Sequence, residues 1–84
     1  MKQWYFYIAR CKDNSLYVGM SEDTSKRIER HNRGQGAKWI KQHGEAKIVY
    51  SEVYDSYLGA YRRESQIKKW SRKKKENLVK GVKP

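Results

Sequence analysis

From residue 4 to residue 10 the chain reads Trp-Tyr-Phe-Tyr-Ile-Ala-Arg, a run of aromatic and aliphatic residues that predicts a β-strand. Lys12-Asp13-Asn14-Ser15 is a turn signal, and residues 15–20 predict a second strand. The two make a hairpin, whose register can be argued from parity. Phe6 and Ile8 form one apolar face of the first strand, and Leu16 and Val18 form one face of the second. Opposed residues in an antiparallel pair lie on the same face. These four therefore share a face only if the connecting loop has an odd number of residues. Asn14, which tolerates positive φ, can close such a loop. The same parity puts Tyr7 and Tyr17 together on the opposite face, and a one-residue slip would mix them with the aliphatics.

Ser21-Glu22-Asp23-Thr24 offers N-caps for a helix running to about residue 33, where Gly34-Gln35-Gly36 breaks it. Residues 37–43 predict a short helix or a basic loop, ended by Gly44. Residues 46–54 hold Ile48, Val49, Tyr50 and Val53 and predict a third strand. Asp55 or Ser56 caps a long helix through Trp70. Ser71 restarts a short basic helix to about Val79. The order is ββαβαα, an α+β fold with a small three-stranded antiparallel-type sheet flanked by helices. One domain is expected over residues 1–79, with a flexible tail at 80–84.

Charge changes this picture from a generic small domain to a specific class. The 84 residues hold 20 Lys plus Arg against nine Asp plus Glu, a net charge of +11. Such a balance points to a polyanion, and nucleic acid is the first candidate. Three Trp and seven Tyr argue for a packed domain rather than a disordered basic tail. The single Cys11 excludes an internal disulfide and a Cys-based zinc site, and it reads as a strand residue. No apolar run approaches membrane-spanning length, and no signal-peptide core precedes the first strand. A reducing cytoplasm, with no membrane contact, is the expected setting.

Few residues stand out as chemistry. On the long helix Tyr57, Ala60, Tyr61, Glu64, Ile67 and Trp70 follow helical spacing along one stripe, with Glu64 in its middle. A carboxylate turned inward needs a cation, which is either an arginine partner or a metal ion. Arg27 and His31 are spaced i, i+4 and project from one helix face. That pair is either a solvated basic face or a phosphate grip with a proton carrier beside it. Tyr7 and Tyr17, taken singly, are ordinary strand tyrosines.

The ordered set is more specific than its members. Tyr5-Phe6-Tyr7, then Leu16-Tyr17-Val18-Gly19, then Asp23, Arg27 and His31, then a helical Glu64: this arrangement resembles the GIY-YIG nuclease family, from about residue 4 to residue 79. Gly34-Gln35-Gly36-Ala37-Lys38 and the basic segment 71–76 resemble its small standalone bacterial members. The resemblance implies an endonuclease that hydrolyses phosphodiester bonds, DNA ahead of RNA, in a setting such as DNA repair or recombination. It implies that Tyr7 and Tyr17 belong to the catalytic centre, with Tyr17 as the base that activates water. It matches Arg27 to the arginine on the scissile phosphate, His31 to a helix position held by His or Tyr, and Glu64 to the ligand of one divalent metal, Mg²⁺ or Mn²⁺. Asn77 matches an asparagine that some relatives carry on the last helix. Two departures stand out. Tyr5 replaces the glycine of the first motif, and Met20 stands where some relatives place a lysine that helps to activate the tyrosine.

Binding is expected to use Lys38, Lys41, Lys68, Lys69, Arg72, Lys73, Lys74 and Lys75. Relatives often carry a second domain for targeting, so a targeting partner protein fits this chain. The alternative is a non-catalytic nucleic-acid-binding module with the same fold, which would not need Tyr17, Arg27 and Glu64 together.

Overall fold

The computed structural model describes residues 3–22 and 43–81. They form β1 (Trp4–Cys11), β2 (Leu16–Ser21), β3 (Ala46–Tyr54), α1 (Tyr57–Lys68) and α2 (Arg72–Val79). The sheet is antiparallel with strand order β2-β1-β3, so the fold is α+β as the pattern predicts. The helix expected between β2 and β3 lies outside the described residues, as do Arg27, His31, Lys38 and Lys41.

The hairpin register follows the parity argument. Cys11 N donates to Ser15 O at 2.9 Å, and Asn14 N donates to Cys11 O at 2.9 Å. The loop between that pair is Lys12-Asp13-Asn14, an odd number, and Asn14 closes it at φ +73°. Asp13 Oδ1 accepts from Ser15 N at 3.0 Å and stiffens the turn. Ile8 then faces Val18, Tyr7 faces Gly19, and Ala9 faces Tyr17. On the other side of β1 the pairing shifts between Ile8↔Tyr50 and Ala9↔Ile48, which leaves Val49 as the extra residue of a bulge. Val49 accordingly packs on one side of the sheet and Ile48 on the other.

Both faces of the sheet are covered. On one, Phe6, Ile8 and Val18 pack with Ile67 of α1 and Leu78 of α2. On the other, Tyr7, Ala9, Cys11 and Ala46 cluster, with Tyr17 and Ile48 against them. Phe6, Ile8 and Ile67 are wholly buried. Each such side chain stabilises by roughly 1.5–3 kcal/mol. Trimming Ile67 to alanine would cost about 2–5 kcal/mol, because it is the residue that seats α1 on the sheet.

Ser56 caps α1, its Oγ accepting from Gly59 N at 3.2 Å. Ser71 caps α2, its Oγ accepting from Lys74 N at 3.3 Å. α1 stops at Lys68 rather than Trp70. Lys69 N and Trp70 N turn back to Gln66 O and Ile67 O, which tightens the last turn before Ser71 becomes extended. The stripe expected on α1 also needs correcting. Its buried line is Ala60 and Ile67, while Tyr57 and Tyr61 are 52% and 46% exposed. At 3.6 residues per turn, positions 57 and 61 fall to the side of the 60–67 line, and the sheet covers only that line.

Two ion-pair networks fix the helices against the sheet. Arg10 of β1 grips Glu76 of α2 with Nη1 at 3.0 Å and Nη2 at 2.6 Å. Arg72 also donates to Glu76, at 3.1 Å, and to Asn14 O at the hairpin tip. Glu52 of β3 accepts from Arg63 of α1 at 3.0 and 3.1 Å, and from Tyr50 and Tyr54 at 2.5 and 2.6 Å. Burial raises the Glu52 carboxyl, but its hydrogen bonds from Arg63 and the two tyrosines outweigh that and hold it low. Tyr54 is pushed up to about 12, by burial first and then by its bond to Glu52.

Candidate active site

Tyr7 and Tyr17 stand on one face of the hairpin, with ring centroids 6.2 Å apart and planes inclined by 37°. Register produces this: Tyr7 is opposite Gly19, and Tyr17 is two residues along the same face. Gly19 makes it possible. A Cβ there would lie 2.7 Å from Tyr7 Oη, 2.8 Å from Tyr7 Cζ and 3.0 Å from Tyr17 Cε1. The missing side chain is the space in which the Tyr7 phenol lies. Tyr7 is 1% exposed, so its ring is held in place. Sequence reasoning passed over Gly19 as a site residue. The available signal was a glycine inside a strand, which marks a close approach by something else. Met20 pairs with Phe6 and so has the parity of the opposite face from Tyr17.

Glu64 comes from α1, which packs across β1 and β2 on the Phe6 side of the sheet. Helical spacing puts it between the buried Ala60–Ile67 line and the exposed Tyr57–Tyr61 line. Its side chain is 14% exposed and pairs with Lys68 at 3.2 Å, whose own side chain is 56% exposed. An arginine partner was the simple expectation. Among the described arginines, Arg63 is committed to Glu52, and Arg10 and Arg72 to Glu76. A largely covered carboxylate with a solvent-facing lysine suits a single-carboxylate cation site, since the lysine can swing away at little cost. Among the described residues no group of three or more His, Cys, Asp or Glu side chains could hold a metal. A cation here would complete its shell with water and phosphate oxygens. The structure thus brings Tyr7, Tyr17 and Gly19 together on one face and delivers Glu64 from the helix on the other. β2, an edge strand of the described sheet, is common to both.

The basic residues divide into two kinds. Lys68, Lys69, Arg72, Lys73 and Lys74 are exposed and Lys75 is half-buried. Arg72 serves the fold through Glu76 and Asn14, and Lys74 lies over the Trp70 ring at 5.7 Å. His43 brings a further polar cluster to the hairpin tip, its Nδ1 lying 2.8 Å from Asp13 Oδ2 and 3.0 Å from Ser15 Oγ. Both contacts fall on the same nitrogen, so this Ser-His-Asp set is not a proton relay.

The family model described as the GIY-YIG catalytic domain matches residues 3–77. A UPF0213 protein of Staphylococcus saprophyticus is 47% identical over 79 residues, covering 94% of this chain and 96% of that one. A UPF0213 protein of Staphylococcus aureus is 44% identical over 80 residues, covering 95% and 98%. Among solution NMR structures, that of a UPF0213 protein from Bacillus halodurans is 40% identical, with a TM-score of 0.60 over 93% of this chain and 83% of that chain. A protein from E. faecalis is 31% identical, with a TM-score of 0.65 over 96% and 86%. The matched span contains the paired tyrosines, the glycine beneath them and the helical glutamate, and the chain therefore belongs to the GIY-YIG family, a nuclease superfamily whose substrate is nucleic acid.

Proposed function

We propose that this chain is a metal-dependent endonuclease that hydrolyses phosphodiester bonds in DNA. The observation that carries the reading is the tyrosine pair seated over Gly19, since a purely structural hairpin does not need two phenols crowded over a glycine. Tyr17 takes the proton of the attacking water, either as its phenolate or while passing its own phenol proton to His31. Tyr7, immobilised by burial, keeps the Tyr17 ring in position. Arg27 neutralises charge on the scissile phosphate. Glu64 would hold one Mg²⁺ or Mn²⁺. When bound, the ion stabilises charge on the phosphate and the leaving oxygen.

Glu64→Gln tests the assignment. It keeps the size of the side chain and removes the charge that holds the cation. Nicking of supercoiled DNA should fall on the order of 100-fold or more. DNA binding without metal should survive, because basic residues supply it. The melting temperature should barely move, since the amide is near-isosteric with the carboxylate and the Lys68 partner it gives up is 56% exposed. Full nicking by a folded Glu64→Gln protein ends the metal-site reading. A wild-type protein that binds DNA with no metal-dependent nicking on supercoiled, single-stranded or branched substrates is instead a non-catalytic binding module.

A further inference from the structure

α1 carries an aromatic surface beside Glu64 that the proposed chemistry does not use. Tyr57 and Tyr61 lie one turn apart with ring centroids 5.9 Å apart and planes 19° from parallel, a stacked pair. Both are about half exposed, at 52% and 46%. Trp4 meets Tyr57 edge-on, at 5.0 Å and 85°. That contact fixes one end of the stack. At the other end a hollow of about 460 Å³ opens beside Tyr61, with Arg62, Lys69 and Trp70 among its walls. Its other walls, Ser65 and Gln66 included, come from the turns after Tyr61, so the hollow runs from Tyr61 toward the C-terminal end of α1. Trp70 itself lies under two cations, Arg63 at 5.5 Å and Lys74 at 5.7 Å, neither of which lines the hollow.

Two phenol rings already stacked and anchored lose little freedom when a third flat ring joins them. A nucleobase is such a ring, and the phosphates on either side of it suit Arg62 and Lys69. A base inside a duplex offers no open face, whereas an unpaired base does. The neighbouring Leu58 is also exposed, at 51%. An apolar protein partner would be less well served by the cations along the hollow and by the chain's net charge of +11. Resting on the nuclease reading, we infer that Tyr57 and Tyr61 form a stacking platform for an unpaired base next to Glu64, and that the substrate class is nucleic acid with a single-stranded segment at the cleavage point.

Binding without metal, so that nothing is cut, tests this. The probes are a labelled oligothymidylate and a labelled blunt duplex, read by fluorescence anisotropy. The Tyr57→Ala/Tyr61→Ala protein should bind the oligothymidylate about 10-fold or more weaker, and the duplex within about twofold of wild type. Tyr57→Phe/Tyr61→Phe, which keeps the rings and drops the hydroxyls, should bind both probes as wild type does. Melting curves confirm that each variant is folded. The platform is overturned if the alanine protein keeps its single-strand affinity, if both probes weaken equally, or if the phenylalanine protein loses as much as the alanine one. It is also overturned if the alanine protein binds both probes normally but no longer self-associates, which would make the surface a docking face for a second copy. A wild-type protein that binds neither probe sinks the nucleic-acid reading itself, an outcome distinct from failure of the platform.

Discussion

Gly19 and Tyr7 share one small volume, and the tightness of that contact can be measured. Alanine at 19 places a carbon 2.7 Å from Tyr7 Oη and 2.8 Å from its Cζ. The obstacle is the far end of a side chain, which would yield easily at the surface. Tyr7 is 1% exposed and cannot swing out, so the clash must distort the hairpin or the phenol pair. Gly19→Ala should cost about 1–3 kcal/mol of stability and lower cleavage beyond the loss explained by unfolding. Adding Tyr7→Phe removes the atom in closest contact, so the double variant should regain part of the stability without regaining activity. Chemical denaturation and nicking rates on the same preparations check both. A Gly19→Ala protein as stable as wild type would mean that Tyr7 has room the structure does not show. Glu64 illustrates a milder residue-scale point. It needed a cation, and the sequence left arginine and metal open. Among the described residues its ion-pair partner is Lys68, a lysine one turn on that no reading of the stripe picked out.

Where one element meets another, charge pairs set the geometry. Arg10 and Glu76 join β1 to α2, and the Arg10 guanidinium, with Arg72 beside it, holds the Glu76 carboxyl at about 2 against an ordinary 4.5. The sign follows from linkage. A carboxylate with a lowered folded value contributes its stability above the unfolded value and loses it as pH falls toward the folded one. Glu76→Gln should therefore be less stable at neutral pH, on the order of 1 kcal/mol after allowing for solvent around a pair that is 27% and 20% exposed. The gap to wild type should close between about pH 4.5 and pH 2. Denaturant midpoints for both proteins across that range check it, and a gap that stays constant with pH would rule out an ionic origin. None of this pairing was legible in the sequence, because Arg10 and Glu76 are 66 positions apart and belong to no periodic pattern. What was legible was local or periodic. Parity gave the hairpin register, Asp55-Ser56 and Ser71 marked the helix starts, with Ser56 the cap of the first pair, and residues 46–54 marked β3. Tyr57 and Tyr61 misled for the same reason: helical spacing groups residues by angle but does not say how wide a strip the sheet will cover.

At the scale of the whole molecule the governing quantity is +11 charges on 84 residues. No described helix is long and apolar enough to cross a membrane. A polyanion releases bound cations when lysines and arginines replace them, so affinity should fall steeply with salt. The structure says which residues report on that cleanly. Lys69 and Lys73 are exposed, and neither forms an ion pair within the described residues. Arg72 is different, since it also holds Glu76 and the hairpin tip. Lys69→Ala/Lys73→Ala should lower the slope of log affinity against log salt by up to roughly 0.9 per lost contact on duplex DNA, with an unchanged melting temperature. Arg72→Ala should lower the slope by a similar single step and also lower the melting temperature, because Glu76 loses one of its two arginines. Titrations at several salt concentrations, run beside melting curves, separate the two kinds of residue. An unchanged slope in Lys69→Ala/Lys73→Ala would place the nucleic acid away from the end of α1 and the start of α2. A slope that drops only with Arg72→Ala would narrow the contact to the mouth between α2 and the hairpin tip, where Arg72 reaches Asn14.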